Sequence, residues 1–167
     1  MTAKKYISVL VENHAGVLAR VSALFCRRGF NIDSLTVSAT DDESVSRITI
    51  TAGGDEASFE QIIRQTEKLC EVIAIFELEP EHSILRELLL VKVAADESNR
   101  RAIKDIADIY KAKTVDLSPD SMTLELTGEP SKIDGLLRIL GEYEILEMCR
   151  TGITALERGD ICRISDN

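Results

Sequence analysis

The stretch Val-Glu-Asn-His-Ala-Gly-Val-Leu, residues 11–18, joins a predicted strand to a predicted helix and decides how the first half of the chain folds. Asn13 can cap the helix, and Gly16 lets a ligand approach the backbone where a helix N-terminus leaves N–H groups unpaired. Because these N–H groups carry partial positive charge, this strand–turn–helix segment, hereafter the corner, suits a small carboxylate. Apolar residues recur at strand spacing before it and at helical spacing after it, at Ile7, Val9 and Val11 and then at Val17, Leu18, Val21, Leu24 and Phe25.

Six elements follow one another in the first half of the chain. The patterns predict a strand at residues 5–12, a helix at 16–28, and two alternating strands joined by a turn at 41–44. A second helix begins after Gly53-Gly54-Asp55, and a last strand covers 72–78. The order β-α-β-β-α-β is that of the split-βαβ, or ferredoxin-like, arrangement.

The second half repeats this order. A strand at 86–94 precedes a helix, a hairpin turns at 118–121, and a further helix leads to a strand at 145–149. The apolar residues at helical spacing in the two helices are Ile103, Ile106, Ala107 and Tyr110, and then Ile133, Leu136, Leu137 and Leu140.

The boundary between the halves is predicted at Glu79–Ser83, a polar segment that holds one of only three prolines. The sequence therefore predicts an α+β protein of two tandem ferredoxin-like domains, residues 4–79 and 84–160. The second domain has no counterpart of the corner before its first helix. It has Asp96-Glu97-Ser98-Asn99 there, which can cap a helix but repels a carboxylate.

The second strand of a split-βαβ sheet lies at an edge, and here it is polar and lacks the protection of Pro or Lys. Pairing two such edges across a two-fold axis removes the exposed edge, and each domain alone has only a small core. We therefore expect a homodimer. The sheet face opposite the helices is predicted to be of mixed composition, with Ser8, Leu10, Thr36, Ser38, Thr49, Thr51, Ile73 and Ile75.

The composition is that of a soluble globular protein, with 44% hydrophobic and 29% charged residues. A net charge of −9 argues against nucleic acid or an anionic membrane as a partner. No apolar run approaches the roughly 20 residues that span a bilayer, and the N-terminus does not have the pattern of a signal peptide. We therefore expect a cytoplasmic protein.

Four cysteines, at positions 26, 70, 149 and 162, show no Cys-x-x-Cys spacing, and the two histidines lie far from them in sequence. This argues against a zinc site, and we assign no residue as a metal ligand. In the cytoplasm all four thiols are expected to be reduced. The first three lie inside or at the ends of predicted elements, where a thiol behaves as a small apolar group.

No set of residues has the pattern of a catalytic site. The chain has no nucleophile elbow, and its two histidines are far apart in sequence. Asp41 and Asp42 lie at the tip of a predicted hairpin, and Gly53-Gly54 is followed by acidic residues rather than by the Lys-Ser or Lys-Thr of a phosphate loop. The corner thus has the features of a binding site, and no catalytic residues are recognisable near it in the sequence.

The run Arg-Arg-Gly-Phe-Asn-Ile-Asp-Ser-Leu-Thr-Val, residues 27–37, together with the corner, resembles the small regulatory subunit of acetolactate synthase (acetohydroxyacid synthase). The first half resembles an ACT domain, a module that senses amino acids. The resemblance covers residues 5–160, nearly the whole chain. Further agreement comes from Thr40-Asp41-Asp42, Ser46-Arg47, Leu90-Val91-Lys92-Val93, Arg150-Thr151-Gly152 and Arg158-Gly159-Asp160.

The resemblance implies a regulatory subunit that catalyses no reaction. In that family it binds the large catalytic subunit, raises its activity and confers feedback inhibition by a branched-chain amino acid, usually valine. Thiamine diphosphate, Mg²⁺ and FAD are then expected in the catalytic subunit, and no cofactor in this chain. A stand-alone ACT sensor that regulates a transporter or a transcription factor is the alternative, although the sequence contains no evident DNA-binding helix pair.

The resemblance also implies an effector site between two ACT domains, where the corner of one protomer faces the start of the second strand of the other. Apolar residues of the two walls can pack a branched side chain, at about 0.8 kcal/mol per buried CH₂. Carried over residue by residue, one wall is Asn13, His14, Ala15, Gly16, Val17 and Leu18, and the opposite wall is Asn31 and Ile32.

Simpler roles compete with ligand binding at most of these positions. Only one of Val17 and Leu18 is expected to face the ligand, the other packing in the core. His14, which stands where relatives vary, can be a solvated loop residue, and Asn31 can favour a left-handed backbone. Arg47 is expected to be solvated. Ala19 stands where relatives often carry serine, which removes one possible hydroxyl contact.

Overall fold

A computed structural model describes residues 4–160, which form two compact units. Within the described residues, the first unit comprises 4–84 and 153–160, and the second comprises 85–152. The division follows directly after the predicted boundary segment, but the predicted second domain continues to residue 160, whereas residues 153–160 pack with the first unit. None of the described helices is long and apolar enough to cross a membrane.

The first unit contains a four-stranded antiparallel sheet in the order β2-β3-β1-β4. This order and the β-α-β-β-α-β sequence of elements confirm the predicted split-βαβ fold. A short 3₁₀ turn at Pro80–His82 follows the last strand. The elements are β1 (Lys4–Glu12), α1 (Val17–Arg27), β2 (Ile32–Ala39), β3 (Val45–Gly53), α2 (Glu56–Thr66) and β4 (Val72–Glu77).

Both helices of the first unit pack on one face of this sheet, where apolar residues at every second position of β1 are buried. Phe30 joins the two helices, because its ring makes edge-to-face contacts with Phe25 and Phe59. The ring centroids are 6.1 Å apart in the first pair and 5.1 Å apart in the second. Asp55 caps α2: its carboxylate accepts from the backbone N–H and the hydroxyl of Ser58, which lowers the pKa of Asp55. The buried core consists of Ile7, Val9, Val11, Val17, Val21, Phe25, Ile48, Ile50, Ala52, Phe59, Ile62 and Ile75.

Ile75 lies in this core, so its predicted place on the opposite face is wrong. The β1–β4 register shifts between Leu10 and Val11, which puts Ile75 opposite Val9 on the helix-covered side. A register shift of this kind reverses which residues of a strand face the core. Ile73, in contrast, is 45% exposed.

The opposite face of the sheet is buried although it is largely polar. Ser8, Thr49 and Thr51 are each at most 3% exposed. The Thr36 hydroxyl donates to the carbonyl of Ile153 at 2.8 Å, where the chain returns to the first unit. Arg47, expected to be solvated, is half-buried and donates to the Ser8 hydroxyl at 2.9 Å.

The second unit repeats the fold, with its sheet in the order β6-β7-β5-β8. Its core lies between the sheet and two helices, as predicted from the helical spacing of apolar residues. The last strand of the chain, β9 (Thr154–Glu157), lies in the first unit. The other elements are β5 (Ser83–Ala94), α3 (Arg100–Tyr110), β6 (Lys113–Leu117), β7 (Ser121–Gly128), α4 (Pro130–Leu140) and β8 (Ile145–Arg150).

A buried ion pair joins β5 to β8 in the second unit. The Arg150 guanidinium donates two hydrogen bonds to the Glu87 carboxylate, at 2.7 and 2.6 Å, and a third to Asp134 on α4 at 2.8 Å. Glu87 is only 5% exposed, and its carboxylate raises the pKa of Arg150 above the ordinary value. Together these bonds tie two strands and a helix of this unit.

The three cysteines that the structure describes do not take part in either core. Cys26, Cys70 and Cys149 are free thiols, and all three are exposed, so the prediction that they act as small apolar groups is wrong. Cys162 lies outside the described residues.

The corrected register predicts opposite consequences for two neighbouring isoleucines. Ile75→Ala should lower the free energy of unfolding by about 2–3 kcal/mol, because it leaves a cavity in the core. Ile73→Ala should change it by less than about 0.5 kcal/mol. Urea denaturation of both variants measures the difference, and equal losses of stability would favour the original assignment of both residues to one face.

Candidate functional site

The corner is a tight turn between the central strand and the first helix. β1 ends at Glu12, α1 begins at Val17, and Gly16 stands at the N-cap with φ +94°. Only glycine adopts this left-handed conformation without strain, and open space surrounds the position that a Cβ would take. The local sequence therefore makes a helix start that carries no side-chain cap.

Asn13 does not cap the helix, contrary to the prediction. Its Nδ2 donates instead to the carbonyl of Glu43 at 2.7 Å, and its backbone N–H donates to the carbonyl of Ser44 at 2.7 Å. Both acceptors lie in the turn between β2 and β3. Asn13 thus fastens the corner to that hairpin, and its long-range partners could not be read from local sequence.

Four backbone N–H groups at the corner have no hydrogen-bond acceptor in the described part of the chain. They are the first unpaired donors of α1 and of the turn before it, where the helix dipole favours negative charge. Because no side chain caps the helix, a carboxylate can take them. These donors belong to Ala15, Gly16, Leu18 and Ala19.

The two apolar residues at the start of α1 differ in burial. Val17 is 3% exposed and belongs to the core, whereas Leu18 is 40% exposed. Ala15 is exposed beside it. Of the two candidates, Leu18 is therefore the side chain available to an apolar ligand group.

His14 lies on the exposed side of the corner. Its Nε2 is 3.1 Å from the Glu12 carboxylate, and its Nδ1 is 3.2 Å from the Ala15 carbonyl. Both the His14 and Glu12 side chains are more than half exposed. The structure thus places His14 next to the free N–H groups but in solvent.

An ion pair between Arg20 and Glu71 lies next to the corner, and no sequence motif predicted it. Glu71, just before β4, is 6% exposed, and its carboxylate binds the guanidinium of Arg20 in the first turn of α1. A hydrogen bond from the Cys70 thiol, the backbone N–H and the nearby charge of Arg20 all lower the pKa of Glu71. No local motif marks this pair, because its members are 51 positions apart.

The second predicted wall consists of Asn31 and Ile32, at the start of β2. Asn31 is exposed, and its amide donates to the Asp33 carboxylate at 2.8 Å. Its backbone is not left-handed: among the described non-glycine residues, only Lys111 has positive φ. Ile32 is half-buried and packs against the core of the first unit.

The two predicted walls lie at opposite ends of the sheet within one chain. Ile32 pairs with Ala52 of β3, and Ala52 pairs with Lys5 near the beginning of β1. The corner follows Glu12 at the other end of β1. Since a strand rises about 3.3 Å per residue, the walls are separated by roughly 20 Å along the strands. The structure does not bring them together in a single chain.

The corresponding segment of the second unit holds a carboxylate of its own. The Asp96 carboxylate accepts from the backbone N–H groups of Ser98, at 2.8 Å, and Asn99, at 3.2 Å. The side-chain hydrogen bond from Ser98 contributes most to lowering the pKa of Asp96. This internal carboxylate takes two N–H groups just before α3, whereas α3 itself, like α1, has no side-chain cap.

Both halves of the chain match known protein families. The AHAS small subunit-like ACT domain matches residues 7–74, and the family described as the small subunit of acetolactate synthase matches residues 86–159. The two matches follow the two repeats of the fold in order.

Relatives match over nearly the whole chain. The acetolactate synthase small subunit of Mycolicibacterium smegmatis is 48% identical over 92% of this chain and 90% of its own length. The probable acetolactate synthase small subunit of Methanothermobacter thermautotrophicus is 47% identical over 92% of each chain. The crystal structure of the small subunit from Thermotoga maritima covers 95% of this chain and 99% of its own, with a TM-score of 0.86 and 35% identity.

The different burial of two adjacent residues gives a stability test. Val17→Ala should lower the free energy of unfolding by about 2 kcal/mol, because two buried methyl groups and their contacts are lost. Leu18→Ala should change it by less than about 0.5 kcal/mol. Thermal and urea unfolding measure both effects, and equal losses would contradict the assignment of Leu18 to the surface.

Proposed function

The chain belongs to the family of acetolactate synthase small subunits, and from this premise we propose that it is the regulatory subunit of an acetolactate synthase in branched-chain amino acid biosynthesis. It binds the large catalytic subunit in the cytoplasm, raises its activity and makes it sensitive to valine. The chemistry belongs to the catalytic subunit, with its thiamine diphosphate, Mg²⁺ and FAD. The observation that carries the proposal is the match of both halves to this family.

Valine, or a close relative, binds at the corner. The unpaired N–H groups around Gly16 receive its carboxylate, and Leu18 packs against its side chain. The absence of a side-chain cap on α1 supports this assignment, because the same donors would otherwise be occupied. The Asp96 carboxylate at the equivalent segment of the second unit would repel an effector carboxylate, which supports one such site per chain.

Each site takes its second wall from another copy of the chain. β2 is the edge strand of the first sheet, and Val37, Ser38 and Ala39 are exposed along it. If two β2 strands pair antiparallel across a two-fold axis, the start of one meets the end of the other. Ala39 is at the same end of the sheet as the corner, since it pairs with Ser46, which pairs with Val11. The partner's Asn31 and Ile32 then approach the corner.

Valine inhibits because it binds more tightly in one arrangement of the complex than in the other. A ligand with equal affinity for both arrangements would not change the equilibrium between them. A coupling free energy of about 1–3 kcal/mol is typical of such regulation. The homodimer provides two equivalent valine sites, and the difference in affinity acts at both of them.

Gly16→Asp tests the site. The new carboxylate repels that of valine, and the φ of +94° strains any side chain, while no neighbour crowds the Cβ. We expect a folded chain that still activates the catalytic subunit but no longer confers inhibition by valine. Enzyme assays of the reconstituted complex, with and without valine, measure both properties.

Gly159→Asp is the matched control. Gly159 has φ +75° and equally open surroundings, so this substitution brings similar strain and the same charge at a distant turn. It should leave inhibition by valine intact. Full inhibition in the Gly16→Asp complex would refute the site, and failure of the wild-type chain to activate any acetolactate synthase would refute the function.

Mixed dimers test whether the site is shared between two copies. Dimers of Gly16→Asp alone and of Asn31→Ala alone should each bind valine at least about tenfold more weakly, a change of about 1.4 kcal/mol. A heterodimer of the two variants carries both defects in one site and leaves the other intact. Titration calorimetry of heterodimers purified with two tags should find one valine per dimer at wild-type affinity. No recovery of binding would mean that the two walls do not come from different copies.

A further inference from the structure

We propose that Glu71 is a positioning residue for the corner, which acts through Arg20 to hold the first turn of α1 in the orientation that binds the effector. The inference rests on the proposed function, since it concerns the same site. Neither residue is expected to touch the ligand, and neither is among the predicted wall residues.

Glu71 holds the chain on both sides of the corner. Its backbone carbonyl accepts the N–H of Glu12, the last residue of β1, at 2.9 Å. Its carboxylate binds the guanidinium of Arg20 on α1. Glu71 therefore fixes the chain before the turn, at Glu12, and after it, at Arg20.

Arg20 transmits this restraint to the unpaired donors. Its own backbone N–H donates to the carbonyl of Gly16 at 3.1 Å and so closes the first helical turn. A rotation of α1 that moved Arg20 away from Glu71 would turn the N–H groups of Leu18 and Ala19 with it. The ion pair thus sets the direction in which these donors point.

Burial makes the restraint strong. The Glu71 side chain is 8% exposed, whereas that of Arg20 is 62% exposed. A buried carboxylate without its cation is costly, so Arg20 is held at Glu71 although most of its side chain lies in solvent. The neighbouring Cys70 thiol also lowers the pKa of Glu71, but it carries no charge to replace Arg20.

A purely electrostatic role would have the opposite consequence to a positioning role. Removing the negative charge of Glu71 frees Arg20 and makes the corner more positive, which should strengthen the binding of a carboxylate. Loss of positioning should weaken binding, because the donors are no longer held in place. The sign of the change in affinity therefore separates the two roles.

The experiment compares Glu71→Gln with Glu87→Gln in the full chain. Glu87 is a matched control, because it is 5% exposed and paired with Arg150 but lies in the second unit. Arg20→Lys, which keeps a cation in reach of Glu71, is the conservative variant, and Arg20→Gln removes it. The measurements are the Kd for L-valine by titration calorimetry and amide hydrogen exchange at residues 13–19.

We expect Glu71→Gln and Arg20→Gln to weaken valine binding about tenfold, or 1.4 kcal/mol, and to speed hydrogen exchange at the corner. Arg20→Lys should recover much of the affinity, and Glu87→Gln should alter neither measurement. Unchanged or tighter binding in Glu71→Gln, or unchanged exchange at the corner, would overturn the proposal. If the wild-type chain binds no valine, the proposed function loses its effector, and the exchange measurement still decides whether Glu71 positions the corner.

Discussion

The position of β3 between β1 and β2 is the constraint on which the rest of the first unit depends. Because both neighbours pair antiparallel with β3, β1 and β2 run in the same direction. The end of β1 and the start of β2 therefore lie at opposite ends of the sheet. A site that uses both needs two copies of the chain, and the exposed edge of β2 offers the surface at which a two-fold axis would bring them together.

The corner combines a left-handed glycine with an uncapped helix. Gly16 turns the chain without strain, and no side chain occupies the N–H groups that follow it. In the second unit Asp96 supplies a carboxylate to the two N–H groups just before α3, which likewise has no side-chain cap. The two copies of the fold thus differ in the segment before the first helix: in one it holds a carboxylate from within the chain, and in the other it is open to a ligand.

Part of the site was predictable from local sequence, and part was not. The strand–turn–helix pattern located the corner, and Gly16 indicated a backbone open to a ligand, but the left-handed conformation of Gly16 came only from the structure. Asn13 was assigned the wrong partner, since its side chain reaches the hairpin turn at Glu43, 30 positions away. The pairing of Arg20 with Glu71 spans 51 positions and follows no periodic pattern, so only folding reveals it.

The sequence by itself determined the order of the elements, their repetition and the side of each helix that is buried, because these follow from hydrophobic periodicity within short segments. Resemblance in its motifs determined the family. Only the tertiary structure decided the register of β4, where a shift between Leu10 and Val11 moves Ile75 into the core. It also decided that Val17 is buried while Leu18 is exposed, and that residues 153–160 pack with the first unit. These features depend on contacts between segments distant in sequence, which no local pattern encodes.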